Sequence, residues 1–188
     1  MALKTFVKIS GVNNLSDARY CAGMGVDLIG FDLEPESDNY TDLEKFSEIS
    51  DWISGVEFVG EFKDSSARTV IKALNSYNLS VVQTQDYGMI DSLQDVKTIL
   101  RVNIEDLNSL PFNLGADFLL VHSKSTLNLL QIQEIQKRVD RIKVLLDCDI
   151  QASSVLGLIE ETRAYGISLT AGHEIRPGYK DYDELADI

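Results

Sequence analysis

The chain has few cysteines, few prolines and a shortage of basic residues, and each shortage excludes a class of protein. Its 188 residues include 2 cysteines, Cys21 and Cys148, which lie far apart and form no C-x-x-C pair. This usage is typical of a reducing compartment and argues against a structural zinc site. The 3 prolines and 12 glycines are too few for a low-complexity segment. We therefore expect a globular chain without metal.

Basic residues number 17 against 30 acidic ones, which gives a net charge of -13. A protein that binds nucleic acid or an anionic membrane surface needs clustered cations, so we expect neither partner. The first ten residues show no charged stretch followed by a long apolar run, which predicts no secretory signal and no membrane span. We expect a soluble cytoplasmic protein with one domain over residues 1–188, because this length suits a single core.

Short apolar runs of β type alternate with amphipathic segments along the whole chain. The eight predicted strands are Phe6–Ser10, Asp27–Leu33, Val56–Phe62, Ser80–Gln83, Thr98–Asn103, Ala116–His122, Arg141–Asp147 and Gly166–Thr170. Strict alternation predicts a parallel sheet, and eight units predict a compact (β/α)8 TIM barrel with short loops. An open doubly wound sheet is the alternative. No G-x-G-x-x-G motif or P-loop follows an early strand, so we expect no cofactor.

Helical segments are predicted between the strands, and those after the fourth and fifth strands carry the weakest pattern. They are Leu15–Met24, Thr41–Ile53, Ser65–Tyr77, Tyr87–Val96, Ile104–Leu110, Thr126–Val139 and Ala152–Ala164, with a short Asp181–Ala186 at the end. Residues that can cap free backbone N–H groups stand near several starts, among them Ser16, Thr41, Asp64 and Ser65. Glycines, which readily adopt the left-handed conformation that ends a helix, are found where the predicted helices end: Gly25, Gly55, Gly115 and Gly166.

Polar side chains stand at the carboxyl ends of the predicted strands, where a β/α barrel carries its chemistry. The candidate ligand-binding residues are Glu34, Glu61, Gln85, Arg101, Asp147, Asp149, Thr170 and Gly172. Ser10 and His122, which end the first and sixth strands, are the candidate catalytic positions.

Six short motifs in one order resemble the phosphoribosylanthranilate isomerase family. Lys8-Ile9-Ser10-Gly11 is similar to that family's K-I-C-G, and Val82-Gln83-Thr84-Gln85 is similar to its V-Q-L-H. Val59-Gly60-Glu61-Phe62 resembles V-G-V-F, and the segments around Gly30 and Pro35 resemble G-F-x-F-x-P-x-S. Near the end, 170–174 resembles S-S-G-V-E and 177–181 resembles P-G-x-K-D. The resemblance covers nearly the whole chain and implies the same barrel and a role in tryptophan biosynthesis.

The resemblance implies an aldose-ketose isomerisation by proton transfer, with a cysteine base after strand one and an aspartic acid after strand six. In this chain those positions are Ser10 and His122. A hydroxyl is a far weaker acid than a thiol, whereas a histidine can exchange protons near neutral pH.

Three further positions depart from the family pattern. Asp147-Cys148-Asp149 stands where the family has a glycine pair for phosphate, and Asn39 stands near its arginine. The glycine-rich loop after strand six is absent.

These departures leave three hypotheses. The first is a diverged family member with little or no isomerase activity, which binds a small molecule, for instance a cation or amine. Its acidic mouth would contain Glu34, Glu61, Asp86, Asp147 and Asp149, with Arg101 and His122 beside them. The second is an active isomerase that uses His122 together with Ser10. The third is a barrel that serves as a protein-interaction partner, which an exposed apolar patch on the helical ring would favour.

Overall fold

The computed structural model describes residues 3–93, 95–149, 154–171, 174–176 and 179–180. Eight parallel strands within these residues close into a barrel in sequence order, each pairing with the next and β8 with β1. The strands are β1 (Phe6–Ser10), β2 (Leu28–Asp32), β3 (Glu57–Glu61), β4 (Val81–Thr84), β5 (Lys97–Asn103), β6 (Phe118–His122), β7 (Lys143–Asp147) and β8 (Gly166–Thr170). All eight predicted strands are confirmed, with bounds within two residues. Two short strands, β9 (Glu174–Arg176) and β10 (Tyr179–Lys180), form a separate antiparallel pair.

The α-helices of the described residues cover the outside of the barrel. They are α1 (Leu15–Met24), α2 (Leu43–Ser50), α3 (Ala67–Tyr77), α4 (Leu129–Gln136) and α5 (Val155–Thr162). After β4 and β5 the connections are 3₁₀ helices, Tyr87–Ser92 and Ile104–Ser109, so the helices predicted there are wrong in type. The helix predicted over Asp181–Ala186 lies outside the described residues. None of the helices in the described ranges combines the length and the apolar character needed to cross a bilayer.

The interior of the barrel is filled by alternate residues of the strands, because successive side chains in a strand point to opposite faces. One buried cluster holds this inner column: Leu28, Val59, Val81, Ile99, Phe118, Leu120 and Leu145. The other faces of the strands pack against the helices in two larger clusters, which contain residues such as Ile29, Phe31 and Leu119. The inner column is apolar up to the middle of the barrel, and the polar residues lie above it at the carboxyl ends.

Three predicted capping residues are wrong by one or two positions. Asn14 caps α1 by accepting from the Asp17 N–H at 2.9 Å, so Ser16 is not the cap. Asp42 rather than Thr41 caps α2, and Ser66 rather than Asp64 or Ser65 caps α3. In each case the cap is the polar residue directly before the first helical residue, where its side chain reaches the free N–H groups.

Glycine behaves as predicted at the end of α1 and not at the end of α5. Gly25 adopts φ 81 and its N–H donates to Ala22 O, as a left-handed residue does at a helix end. Gly55 and Gly115 also have positive φ. After α5, however, the left-handed residue is Arg163 with φ 59, and Gly166 is the first residue of β8.

Candidate functional site at the mouth of the barrel

The strands place polar side chains in a ring at the carboxyl end of the barrel. Glu61, His122 and Asp147 lie two residues beyond the inner-column residues Val59, Leu120 and Leu145, so they share the interior face. Strand register sets their neighbours: Ser10 pairs with Thr170, Glu61 with Gln83, and His122 with Asp147. The ring divides into two hydrogen-bonded clusters, one around Lys8 and one around Asp147.

The first cluster joins Lys8, Ser10 and Glu61. Lys8 is fully buried, and its ammonium donates to Ser10 Oγ at 2.5 Å and forms an ion pair with Glu61 Oε1. Glu61 Oε2 accepts from the Gly11 N–H at 3.1 Å, and Ser10 Oγ lies 3.4 Å from Ser168 Oγ. A buried charge is tolerated only when it is paired in this way. Ser10 Oγ therefore accepts a hydrogen bond from the Lys8 ammonium, whose positive charge is balanced by Glu61.

The second cluster joins His122, Asp147 and Arg101. His122 Nδ1 lies 2.9 Å from Asp147 Oδ2, and Arg101 Nη2 lies 3.4 Å from the same oxygen. The carboxylate favours the tautomer in which Nδ1 carries the proton, which leaves Nε2 as the basic nitrogen. A histidine held by a carboxylate in this manner is able to accept and return a proton.

Glu34 stabilises the loop after β3, because both of its carboxylate oxygens accept hydrogen bonds from that loop. Its Oε2 accepts from the N–H groups of Lys63, Asp64 and Ser65 at 2.8 to 3.1 Å, and its Oε1 accepts from Ser65 Oγ at 2.7 Å. Burial raises the pKa of this carboxyl, but the hydroxyl of Ser65 and the three N–H groups outweigh it, so the pKa lies below 4.5. The ionised form is thus held by the protein itself.

Four of the five carboxylates of the acidic mouth expected from the sequence, all except Asp149, already have hydrogen-bond partners within the protein. Asp86 accepts from the Gly88 N–H at 2.8 Å, and Glu34, Glu61 and Asp147 have the partners described above. No group of three or more His, Cys, Asp or Glu side chains among the described residues is arranged to hold a metal ion. The sequence shows these carboxylates without showing the donors that strand register and loop folding bring to them.

Asp149 lies away from these clusters. It is exposed and lines a groove of about 400 Å³ with Cys148 and residues of α4 and α5, such as Ile132 and Leu158. Burial, together with Asp147 and Asp149, raises the pKa of the Cys148 thiol to about 11. This thiol is therefore protonated at neutral pH and is not a nucleophile.

The remaining predicted positions are divided between the mouth and the undescribed residues. Gln85 and Arg101 line a small pocket of about 160 Å³ beside Glu61, and Thr170 is exposed at the end of β8. Gly172 lies outside the described residues.

Lys8 and Gln83 belong to this mouth and were missed as site residues in the sequence. Lys8 stands two residues before Ser10 on β1, and Gln83 stands two residues before Gln85 in the fourth unit. The alternation of strand side chains was the available signal for both.

A closed barrel of eight parallel strands with its polar clusters at the carboxyl ends defines a (β/α)8 barrel of the kind that enzymes use. No family model matches the chain. Over most of its length, however, it is similar to N-(5'-phosphoribosyl)anthranilate isomerases. Identity is 28% to that of Aquifex aeolicus, over 97% of this chain and 95% of the relative. Identity is 28% to that of Synechococcus sp., over 98% and 89%. This similarity covers nearly the whole of this chain and nearly the whole of each relative.

Solved structures support the same fold. The phosphoribosyl anthranilate isomerase of Thermus thermophilus has a TM-score of 0.79 at 21% identity, with 97% of this chain and 96% of that one covered. A phosphoribosyl anthranilate isomerase in complex with reduced 1-(o-carboxyphenylamino)-1-deoxyribulose 5-phosphate has a TM-score of 0.77 at 22% identity, with 97% and 95% covered. The predicted TIM barrel is confirmed.

Proposed function

We propose that this chain is a phosphoribosylanthranilate isomerase-like barrel with little or no isomerase activity. The observation that carries the proposal is that Ser10, at the position where the resemblance implies the catalytic base, has no described group beside it that can take its proton: its Oγ accepts from the Lys8 ammonium at 2.5 Å and lies 3.4 Å from Ser168 Oγ. An ammonium has no lone pair with which to take the hydroxyl proton, and its charge is balanced by Glu61. Ser10 therefore remains a neutral hydroxyl, which is a poor base.

The phosphate end of the mouth supports the same proposal. Asp147 and Asp149 occupy the turn where the resemblance implies a glycine pair. A carboxylate close to a phosphate repels it, and the side chains also occupy the space that lets backbone N–H groups approach an anion. Asp147 is partly neutralised by His122 and Arg101, whereas Asp149 has an exposed side chain and no hydrogen bond to a described residue.

An active isomerase of tryptophan biosynthesis is the second candidate, and the hydrogen bond between His122 and Asp147 at 2.9 Å favours it. In that case His122 Nε2 would move the proton, and Ser10 would donate a hydrogen bond to the substrate. One proton carrier would then have to serve both as base and as acid, which a histidine can do by returning the proton it has taken.

Complementation of a tryptophan auxotroph that lacks the isomerase separates the two candidates. We expect no rescue by the well-expressed chain and no turnover of phosphoribosylanthranilate by the purified protein. Rescue or turnover that disappears in His122→Ala, while the variant keeps the barrel's circular dichroism spectrum, would establish the second candidate and overturn the first.

A further inference from the structure

A small pocket at the mouth is built from polar residues of neighbouring strands. It has a volume of about 160 Å³, and Asp32, Glu61, Gln83 and Arg101 are among its lining residues. A water molecule occupies about 30 Å³ in the liquid, so the pocket has room for about five waters or one compact organic molecule.

Gln83 contributes a buried acceptor that no protein group satisfies. The side chain is 7% exposed, and its Oε1 has no hydrogen-bond partner in the part of the chain that the structure describes. A buried polar atom without a partner is destabilising, so native proteins almost always supply one from the chain, from water or from a ligand. An acceptor in this position calls for a ligand group that donates.

Arg101 contributes unused donors on the neighbouring strand. Its contact with a described residue is the bond of 3.4 Å to Asp147, which is long for a charge-assisted hydrogen bond. A guanidinium carries five N–H groups, so most of those of Arg101 are free of described partners. The planar fork of guanidinium donors matches a carboxylate with two parallel hydrogen bonds.

The charges around the pocket have both signs. The negative lining residues are Asp32, Glu34 and Glu61, and the positive ones are Lys63 and Arg101. The carboxylate of Glu34 is held by the 63–65 loop. The Lys8 ammonium balances Glu61, and both oxygens of Asp32 accept bonds from its own loop, from the Glu34 N–H and Ser37 Oγ. A simple cation or a simple anion would each meet a repulsive charge, whereas a molecule with one charge of each sign would not.

We propose that this pocket binds a compact zwitterionic amino acid, with its ammonium at Gln83 Oε1 and its carboxylate on Arg101. Both anchors line the same pocket. Gln83 lies on β4 and Arg101 on the neighbouring β5, two residues beyond Ile99, the register partner of Gln83. The proposal concerns binding alone and rests on the proposed function only in assigning the mouth to a ligand other than phosphoribosylanthranilate.

Calorimetric titration of the full chain with glycine and L-serine tests the proposal, with acetate and ethanolamine as probes that keep only one of the two charges. We expect saturable binding of a zwitterion at least about tenfold tighter than that of either single-charge probe, since each lost charge-assisted contact lowers affinity by about that factor. Equal affinity for glycine and acetate, or no saturable binding of glycine or L-serine at millimolar concentration, would overturn it.

Two variants assign the contacts. Arg101→Gln should weaken glycine binding about tenfold and leave ethanolamine binding unchanged, and Gln83→Met, which keeps the length of the side chain, should weaken both. Arg141→Gln, an exposed arginine before β7 at the other end of the barrel, is the matched control and should bind as the native chain does. Thermal unfolding checks that each variant is folded, and unchanged glycine binding by folded Arg101→Gln would contradict the proposal.

Isomerase turnover is measured separately from these titrations. If turnover is found while glycine binds, the proposed loss of activity is wrong and the amino-acid site stands. If neither is found, the barrel is inactive and the amino-acid site is wrong.

Discussion

Glu34 illustrates, at the scale of single residues, how a carboxylate at a barrel mouth can stabilise loops. Its oxygens accept from three consecutive backbone N–H groups and one hydroxyl in the segment 63–65, just before α3. These groups would otherwise have to be satisfied by water. The loop after β2 is in this way tied to the loop after β3.

We predict that Glu34→Gln lowers the free energy of unfolding by about 1 kcal/mol at neutral pH, because an amide replaces an ionised acceptor in a partly exposed site. The pKa of Glu34 is lowered in the folded protein, so its contribution is complete above 4.5 and is lost as the pH falls through the folded value. The difference between the native chain and the variant should therefore shrink in acid. Urea unfolding at neutral and strongly acidic pH measures it. Glu36→Gln, an exposed neighbour, should change little at either pH, and an equal effect of both variants would contradict the role of Glu34.

Restoring the two implied catalytic residues tests how far the rest of the mouth has changed. We predict that Ser10→Cys combined with His122→Asp does not rescue an isomerase-deficient tryptophan auxotroph. The new carboxylate would face Asp147, whose present partners include His122 at 2.9 Å, and Asp149 would still occupy the phosphate turn. Appreciable turnover by the double variant, above that of Ser10→Ala with His122→Ala, would show that the phosphate turn matters less than proposed.

Residue pairs were the part of the site that the sequence did not reveal. Ser10, His122 and Asp147 could be assigned to the mouth from the ends of strands. Their partners depend on cross-strand register, which places Asp147 opposite His122 and Glu61 within reach of Lys8. Register depends on how the apolar faces of two strands align with each other, so it cannot be assigned from either strand alone.

At the scale of elements, helix type was harder to predict than helix position. Buried residues in the connection after β5 include Ile104 and Leu107, which are three positions apart. Over a single turn this spacing suits an α-helix and a 3₁₀ helix equally. Only the length of the segment decides between them, and 104–109 is too short to gain from further α-helical hydrogen bonds.

Helix α1 offers a direct test of the corrected cap. Asn14→Ala should lower the free energy of unfolding by about 1 kcal/mol, because the Asp17 N–H loses its acceptor at 2.9 Å. Ser16→Ala, the cap expected from sequence, should have an effect of a few tenths of a kcal/mol at most. Equilibrium unfolding in urea compares the two variants, and a larger loss for Ser16→Ala would show that the helix begins later than the structure indicates.

At the scale of the whole molecule, the alternation of apolar runs and amphipathic segments was sufficient to predict the barrel. Eight parallel strands with intervening helices close into a barrel, and short connections place each strand beside the next one in the sequence. The pattern says nothing about what the mouth binds, because the same barrel supports many chemistries through its loops and strand ends. The residues that form the fold are therefore different from those proposed for function: the inner column and helix faces form the barrel, whereas the proposals concern the residues at the mouth, among them Lys8, Gln83, Arg101, His122 and Asp147.

Closure of the barrel depends on Gly166, at the point where β8 meets β1. Phe6 is its register partner, and a Cβ at Gly166 would overlap the Phe6 carbonyl oxygen, a backbone atom that cannot move aside without separating the two strands. We predict that Gly166→Ala lowers the free energy of unfolding by about 1–3 kcal/mol, as overpacking does in a close-packed interior. Gly157→Ala is the matched control: its Cβ meets nothing within 4 Å in α5, and alanine should stabilise the helix by about 0.5–1 kcal/mol. Urea unfolding followed by circular dichroism should therefore move in opposite directions for the two variants, and a neutral Gly166→Ala would mean that β1 and β8 are not held as closely as the structure places them.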